Sequence, residues 1–153
     1  MANDFRIRPA RACELPALVA LEERCFTGDR ITPRQLKHWL TADNGLFLVA
    51  APPGRNAAPI GYLLTVWRRE GTSVRLYSIA IAPEARGKGL AQRLLQSSIS
   101  HVKRLGRSRY TLEVAAGNQA AIALYEKLGF VPFGRYPAYY QDGQDAVRMR
   151  KAL

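Results

Sequence analysis

The fold is decided by residues 76–105, which read LYSIAIAPEARGKGLAQRLLQSSISHVKRL. The run from 76 to 82 is apolar and partly β-branched, and it predicts a strand. From Leu90 onward apolar residues recur at three- and four-residue steps, which predicts a helix as far as Leu105, ended by Gly106. The turn between strand and helix is glycine-rich and carries Arg86 and Lys88. Because a helix N-terminus leaves backbone N–H groups unpaired and favours negative charge, this turn predicts an anion-binding loop.

The spacing of the glycines excludes two common phosphate-binding loops. In the Walker pattern Lys and then Ser or Thr follow the second glycine, whereas here Leu90 follows Gly89. The dinucleotide pattern places a third glycine where this chain has Gln92. That pattern also needs an acidic residue about 20 positions further along, near residue 109, to bind a ribose. The nearest acidic residue is Glu113, which is a candidate for a different role. The loop is therefore expected to bind a phosphate-bearing ligand in some other way.

Length and composition predict one globular domain over residues 1–153. A chain of 153 residues can bury roughly two thirds of its unfolded surface. Its hydrophobic content of 48% and charged content of 23% are ordinary for a globular protein. The first residues lack an apolar signal region, and no uninterrupted apolar run approaches about 18 residues. We therefore expect a cytoplasmic protein that does not associate with membranes.

The cysteines and histidines do not predict a metal site. Cys13 and Cys25 lie twelve residues apart outside any CxxC pattern, and His38 and His101 are isolated. No candidate base stands beside either cysteine in the sequence. We expect two reduced thiols, no bound metal and no cysteine nucleophile.

The net charge of +11 is unusual for a chain of this size. No Asp or Glu occurs between Ala85 and Leu112. Two interpretations remain open: an arginine-rich surface without a specific partner, or attraction to RNA, ribosomes or an acidic partner.

Hydrophobic periodicity predicts seven strands and four helices. The predicted strands cover Phe5–Arg8, Leu46–Ala51, Ile60–Trp67, Val74–Ala82, Tyr110–Ala115, Phe130–Arg135 and Asp145–Arg150. The predicted helices cover Cys13–Cys25, a segment that begins at Pro33 after a Thr32 cap, residues 90–105, and a segment capped by Asn118 and ended by Gly129. This order of elements predicts an α/β (α+β) protein with a mixed sheet and helices on both faces.

Two blocks of sequence carry a resemblance to a known family. The loop reads Arg86-x-x-Gly89-x-Ala91, and residues 112–130 read LEVAAGNQAAIALYEKLGF. Together they resemble the GCN5-related N-acetyltransferases (GNAT), and the second block is similar to the RimI type, the ribosomal-protein-alanine acetyltransferases. The resemblance covers roughly residues 60–150. It implies a mixed, mostly antiparallel sheet of six to seven strands, in which the central strands carrying Ile81 and Glu113 run parallel and splay apart.

The resemblance implies acetyl-CoA as co-substrate, with its thioester arm in the gap between the splayed strands. In the family a backbone N–H at the end of the central strand, usually at a bulge, stabilises the oxyanion, and the matching residue here is Ile81. The implied cofactor-binding residues are Ile79, Ala80, Ile81, Arg86, Gly87, Lys88, Gly89, Leu90, Ala91, Gln92 and Asn118.

Glu113 and Tyr125 are the candidate catalytic side chains. The resemblance implies Glu113 as general base and Tyr125 as the acid that protonates the coenzyme A thiolate. Read from the pattern alone, Glu113 equally fits a strand carboxylate paired with a nearby arginine, and Tyr125 fits a core residue on the apolar face of its helix. Asn118 similarly fits a helix cap, a ligand of the pantetheine arm, or both.

The expected acceptor is a protein N-terminus. An α-amino group has a reference pKa near 7.7–8.0 and a lysine one near 10.4, a gap of about 2.5 units or roughly 3.4 kcal/mol, which makes the terminal amine the easier substrate. The segment with Tyr139 and Tyr140 resembles the hairpin that RimI-type enzymes place over the acceptor peptide. Ala115 and Gly117 depart from the residues common in close RimI relatives.

The sequence therefore predicts an acetyl-CoA-dependent N-acetyltransferase acting on a protein N-terminus, such as that of a ribosomal protein. A lysine or a small amine is an alternative acceptor. A basic RNA- or ribosome-binding module that holds acetyl-CoA without turnover is an alternative of another class.

Overall fold

The computed structural model describes residues 4–153. Its strands are β1 (Arg6–Pro9), β2 (Gly45–Ala51), β3 (Gly61–Val66), β4 (Ser73–Ile81), β5 (Arg109–Ala115), β6 (Val131–Tyr136) and β7 (Ala146–Ala152). Its helices are α1 (Leu15–Cys25), α2 (Pro33–Thr41), α3 (Leu90–Arg104) and α4 (Gln119–Lys127), with short 3-10 turns at Ala12–Glu14 and Pro83–Ala85. None of these helices is both long and apolar enough to span a membrane.

The predicted elements are all present, with shifts of a few residues at their ends. Pro9 is the last residue of β1, one position beyond the predicted end, which is tolerated because β1 is an edge strand and one of its sides needs no N–H donors. The first helix begins at Leu15, two residues later than predicted, and Pro16 lies in its first turn. Thr32 caps α2 as predicted, since its side chain accepts from the Gln35 N–H and the Gln35 side chain accepts from the Thr32 N–H.

The seven strands form one mixed sheet in the order β1-β2-β3-β4-β5-β7-β6. Within residues 4–153, β4 and β5 are the one pair of neighbours that run parallel, and the other pairs are antiparallel. The parallel pairing joins Ser73–Arg75 to Arg109–Thr111 and then stops. Beyond it the two strands carrying Ile81 and Glu113 are no longer paired with each other. The predicted mixed, mostly antiparallel sheet with splayed central strands is confirmed.

Helices cover both faces of the sheet, as predicted. Helices α3 and α4 pack against one face, in a core that includes Leu63, Leu94 and Met149. Helices α1 and α2 pack against the opposite face, over β2, β3 and β4, and no residue of β5, β6 or β7 belongs to that second core. The half of the second face formed by β5–β7 is therefore left without a helix from the described part of the chain.

The parallel pairing is held at its base by a buried hydroxyl network. Tyr110 is fully buried at the start of β5, and its hydroxyl is hydrogen-bonded to Thr65 of β3 and, at 2.8 Å, to Ser98 of α3. Burial raises the pKa of Tyr110 to about 12, so the hydroxyl stays protonated at neutral pH. Three elements are thus joined where β4 and β5 still run side by side.

We expect Tyr110→Phe to lower the free energy of unfolding by about 1–2 kcal/mol, because it leaves the buried Thr65 hydroxyl without a partner. Tyr136→Phe is the matched control, since Tyr136 is 39% exposed and its hydroxyl has no hydrogen-bond partner among residues 4–153. Urea unfolding of both variants measures the difference. An equal decrease in the free energy of unfolding in the two variants would show that the hydroxyl network does not contribute to stability.

Candidate active site

The loop after β4 presents unpaired backbone amides at the start of α3. Gly87 and Gly89 adopt left-handed conformations, with φ of +79° and +75°, which favour glycine. The first helical hydrogen bond of α3 runs from the Arg93 N–H to the Gly89 carbonyl at 3.1 Å. The N–H groups of residues 90–92 therefore have no acceptor within the helix and point outward at its positive end. This is the geometry that the glycine-rich turn predicted.

A cleft of about 550 Å³ opens where β4 and β5 separate. Among the residues that line it are the following predicted ones: Ile79, Ala80, Ile81, Arg86, Ala91, Glu113, Asn118, Tyr125 and Tyr140. The other predicted cofactor residues, Gly87, Lys88, Gly89, Leu90 and Gln92, lie in the adjoining loop and first turn of α3. The Leu90 side chain is buried in the core, so its backbone amide is the group available to a ligand.

The backbone of β4 faces this cleft at alternate residues. The Ala82 N–H donates to the Ile60 carbonyl at 2.8 Å, so residues 80 and 82 pair with β3 in the antiparallel ladder. Ile79 and Ile81 occupy the intervening positions, and their backbone groups point away from β3 towards the gap. The Ile81 carbonyl accepts from Arg86 Nε at 3.0 Å, which anchors the loop to the end of the strand.

The bulge in β4 lies at Tyr77, not at Ile81. Leu64 pairs with Ser78 but the next residue, Thr65, pairs with Leu76, so Tyr77 is the extra residue. One inserted residue reverses the alternation of all side chains that follow it. Even-numbered residues before the bulge and odd-numbered residues after it consequently face α3 and α4. The expectation of a bulge at Ile81 was wrong by four residues.

Asn118 and Tyr125 are placed on α4 beside the cleft. Asn118 Oδ1 accepts from the Ala121 N–H at 3.2 Å, so the side chain caps the helix and leaves Nδ2 without a partner among residues 4–153. Tyr125 is 5% exposed and packs edge-on against Phe130, as the core interpretation predicts. Its hydroxyl also has no partner among the described residues. Burial raises the pKa of Tyr125, so this hydroxyl stays protonated at neutral pH.

Glu113 forms an ion pair with Arg75 of the neighbouring strand. Arg75 Nε and Nη2 both donate to Oε1 of Glu113, at 2.8 and 2.5 Å. The pairing with an arginine, one of the two interpretations of the sequence, is therefore what the structure has. Both donors use one oxygen, and Oε2 has no protein partner among residues 4–153. The carboxylate is held in place with one oxygen available for proton transfer.

A second cleft, of about 470 Å³, meets the first one at Glu113. Its lining includes Asp29, Gln35, Arg75, Tyr139 and Tyr140, so both predicted acceptor tyrosines lie here. Arg75 Nη2 donates to the Tyr139 hydroxyl at 3.3 Å. Burial raises the pKa of Tyr140 to about 12. Glu113, Asp29, Tyr140 and residues 76–78 line both clefts.

Two hydrogen bonds beside the second cleft form a tether between two distant loops. The Gln141 N–H donates to Oδ2 of Asp29 at 3.1 Å, and the Asp29 N–H donates to Oε1 of Gln141 at 3.2 Å. These hydrogen bonds join the α1–α2 loop to the β6–β7 hairpin across 112 residues of sequence. Pattern and spacing do not relate Asp29 to Gln141, and they indicated an arginine partner for Glu113 without identifying it as Arg75.

No group of three or more His, Cys, Asp or Glu side chains within residues 4–153 is arranged to hold a metal ion. The site is built from two carboxylates, Glu113 and Asp29, together with aromatic hydroxyls and backbone amides.

Comparison with known proteins identifies the family. Residues 15–130 match the acetyltransferase (GNAT) family. This chain belongs to that family. The predicted resemblance to the GNAT family is thus confirmed.

Three relatives of this GNAT protein are informative. A Bacillus subtilis protein, described as a candidate ribosomal protein bS18-alanine N-acetyltransferase, is 40% identical over 150 residues, which are 97% of this chain and 96% of the relative. N-alpha-acetyltransferase 30 of Schizosaccharomyces pombe is 41% identical over 80 residues, which span 51% of this chain and 53% of that protein. The crystal structure of the ribosomal-protein-S18-alanine N-acetyltransferase from Escherichia coli matches with a TM-score of 0.85 at 27% identity, covering 97% of this chain and 94% of that one.

Proposed function

We propose that the protein transfers an acetyl group from acetyl-CoA to the α-amino group of a protein N-terminus. The observation that carries this proposal is the meeting of two clefts at Glu113, whose Oε2 has no partner among residues 4–153. One cleft adjoins an anion-binding loop and the other lies beneath two tyrosines of a hairpin. The relatives named as alanine or N-alpha-acetyltransferases support an α-amine as the acceptor.

The first cleft suits coenzyme A. The amides of residues 90–92 and the charges of Arg86 and Lys88 suit its pyrophosphate. The backbone groups of Ile79 and Ile81 are oriented to pair with the amides of the pantetheine arm, as a strand would. Asn118 Nδ2 is a further donor beside this path.

The second cleft suits the acceptor amine. A terminal ammonium entering between Tyr139 and Tyr140 reaches the junction of the clefts, where Oε2 of Glu113 accepts its proton directly or through a water. The neutral amine then forms a C–N bond to the thioester carbonyl and the C–S bond breaks, while the second proton that the nitrogen must lose passes through water to solvent. The Ile81 N–H donates to the oxyanion, and the Tyr125 hydroxyl protonates the departing sulfur. Tyr125 regains its proton from solvent when product leaves.

The glycine loop can be tested with a pair of matched variants. Gly89 and Gly71 have φ of +75° and +90°, and a Cβ on either would meet no atom within 4 Å. Both alanine variants therefore carry a similar backbone cost, of about 1 kcal/mol. We expect Gly89→Ala to weaken acetyl-CoA binding roughly tenfold, because the strained loop no longer presents its amides together. Gly71→Ala, in the β3–β4 turn, should bind acetyl-CoA normally in isothermal titration calorimetry. Equal affinities of the two variants for acetyl-CoA would show that the glycine loop does not bind it.

The acceptor can be tested with two peptides incubated with the enzyme and acetyl-CoA. One has a free N-terminal alanine and an internal lysine, and its twin is blocked at the N-terminus. We expect mass spectrometry to find acetylation of the first peptide alone, at the alanine, because the α-amine loses its proton more readily. Modification of both peptides at lysine would show a lysine acetyltransferase.

The catalytic assignments predict that Glu113→Gln lowers kcat roughly 10²-fold and Tyr125→Phe roughly tenfold, because each removes one proton transfer. Neither change should alter the Kd for acetyl-CoA by much, since the loop and β4 are untouched. Glu126→Gln is the control, since Glu126 is an exposed carboxylate on the same helix as Tyr125 and lies outside both clefts. A normal kcat for Glu113→Gln would show that Glu113 is not the general base, without contradicting acetyl transfer itself.

A further inference from the structure

The uncovered half of the sheet carries a row of basic and aromatic side chains beside the site. In the β5–β7 ladder Glu113 is opposite Arg148 and Thr111 is opposite Arg150. Directly opposed residues of antiparallel strands project from the same face, with Cβ atoms about 5 Å apart. Arg148 and Arg150 therefore project from the face that carries the catalytic carboxylate. No residue of the core formed by α1 and α2 comes from these strands.

Arg148 is held in a fixed position by two rings. Its guanidinium lies 4.5 Å from the ring centre of Phe133 and 4.4 Å from that of Tyr136, and Arg150 lies 4.9 Å from Phe133. Neither arginine has a carboxylate partner among residues 4–153, in contrast to Arg75. Phe133, Tyr136, Arg148 and Arg150 are referred to below as the basic–aromatic surface.

This surface is continuous with the second cleft. Tyr136 stacks on Tyr139, with ring centres 5.5 Å apart and an angle of 18° between the rings. Tyr139 in turn lines the cleft and contacts Arg75. A peptide whose first residue lies at Glu113 would pass within a few residues of Arg148, because an extended chain advances about 3.3 Å per residue.

We propose that the basic–aromatic surface selects acceptors with acidic side chains shortly after the acetylated residue. This inference rests on the proposed function and adds a sequence preference to it. The two unpaired guanidinium groups are donors whose planar geometry matches a carboxylate bidentately. Their fixation by the rings reduces the side-chain entropy lost when an acidic residue binds. Arg148 and Arg150 contribute to the net charge of +11, and this part of the charge thereby serves to bind the substrate.

The same contacts disfavour single-stranded RNA as the occupant. Recognition of unpaired bases depends on exposed aromatic faces on which the bases stack. Here Phe133 lies against two guanidinium groups, and Tyr136 lies against Arg148 and Tyr139. The rings are already occupied by side chains of the protein. Nε of Arg148 is buried without a partner, but its two Nη groups are not among the buried unpaired atoms and remain as donors.

Three peptides and three variants test the proposal. The peptides share an N-terminal alanine and carry Glu, Gln or Lys at the third to fifth positions. The variants are Arg148→Met, which keeps most of the packing volume, Arg148→Lys, which keeps the charge without the planar donors, and Arg104→Gln as control. Arg104 is an exposed arginine of α3, on the opposite face of the sheet. The measurements are kcat/KM and, with coenzyme A present, the Kd of each peptide by calorimetry.

We expect wild type and Arg104→Gln to prefer the Glu peptide over the Gln peptide roughly tenfold in both measurements. Arg148→Met should bring the ratio close to one and Arg148→Lys to an intermediate value. Higher salt should reduce the preference, because these side chains are partly exposed.

Other outcomes overturn the inference or separate it from the proposed function. Equal kcat/KM for the Glu and Gln peptides, or a preference for Lys, would refute the acidic preference while α-amine acetylation stands. If no peptide is acetylated, the proposed function fails, and the calorimetric preference alone decides whether the surface binds acidic chains. Binding of an oligouridylate that is lost in Arg148→Met, without any peptide preference, would assign the surface to RNA.

Discussion

The parallel pairing of β4 with β5 lasts for only three residue pairs, and the site depends on its ending there. Beyond Arg75 and Thr111 the inner edges of both strands are open. Buried backbone groups need hydrogen-bond partners, so the amides of Ile79 and Ile81 are left for a ligand or for water. Tyr110 and its hydroxyl partners join β5 to β3 and α3 at the base of the opening, where β4 and β5 are still paired. The loop at the end of β4 then supplies positive charge where a phosphate-bearing ligand would emerge.

The same separation explains how one carboxylate serves two clefts. Glu113 lies on β5 just after the pairing ends, where its side chain reaches Arg75 across the gap. Because the guanidinium of Arg75 binds Oε1 alone, the carboxylate is held in one orientation while Oε2 keeps no partner among residues 4–153. The tether between Asp29 and Gln141 borders the second cleft, and the buried face of α4 brings Tyr125 to the first cleft. Glu113 and Tyr125 therefore both line the first cleft, one from β5 and the other from α4.

Most of the fold was predictable because its signals are local. The strand, glycine turn and helix of residues 76–105 follow from alternation, glycine conformation and helical period, and the Thr32 and Asn118 caps follow from residue type. The splay and the parallel direction of the two central strands came from the family resemblance. Contacts between residues distant in sequence could not be predicted. Arg75 and Glu113 are separated by 38 positions, and Asp29 and Gln141 by 112 positions. The position of the bulge was predicted wrongly because it depends on which side chains of each half of β4 are buried. That burial is determined by the helices packed on the two faces of the sheet.

The convergence of both clefts on Glu113 is tested most directly by a crystal structure with a conjugate in which coenzyme A is linked through a carbonyl group to the α-nitrogen of a peptide. We expect the coenzyme A part to lie between β4 and β5, with the linking carbonyl within hydrogen-bond distance of the Ile81 N–H. The α-nitrogen should face Oε2 of Glu113, and the peptide should leave beneath Tyr139 and Tyr140. A conjugate whose peptide part leaves by another route, or whose carbonyl lies remote from Glu113, would contradict the proposed site.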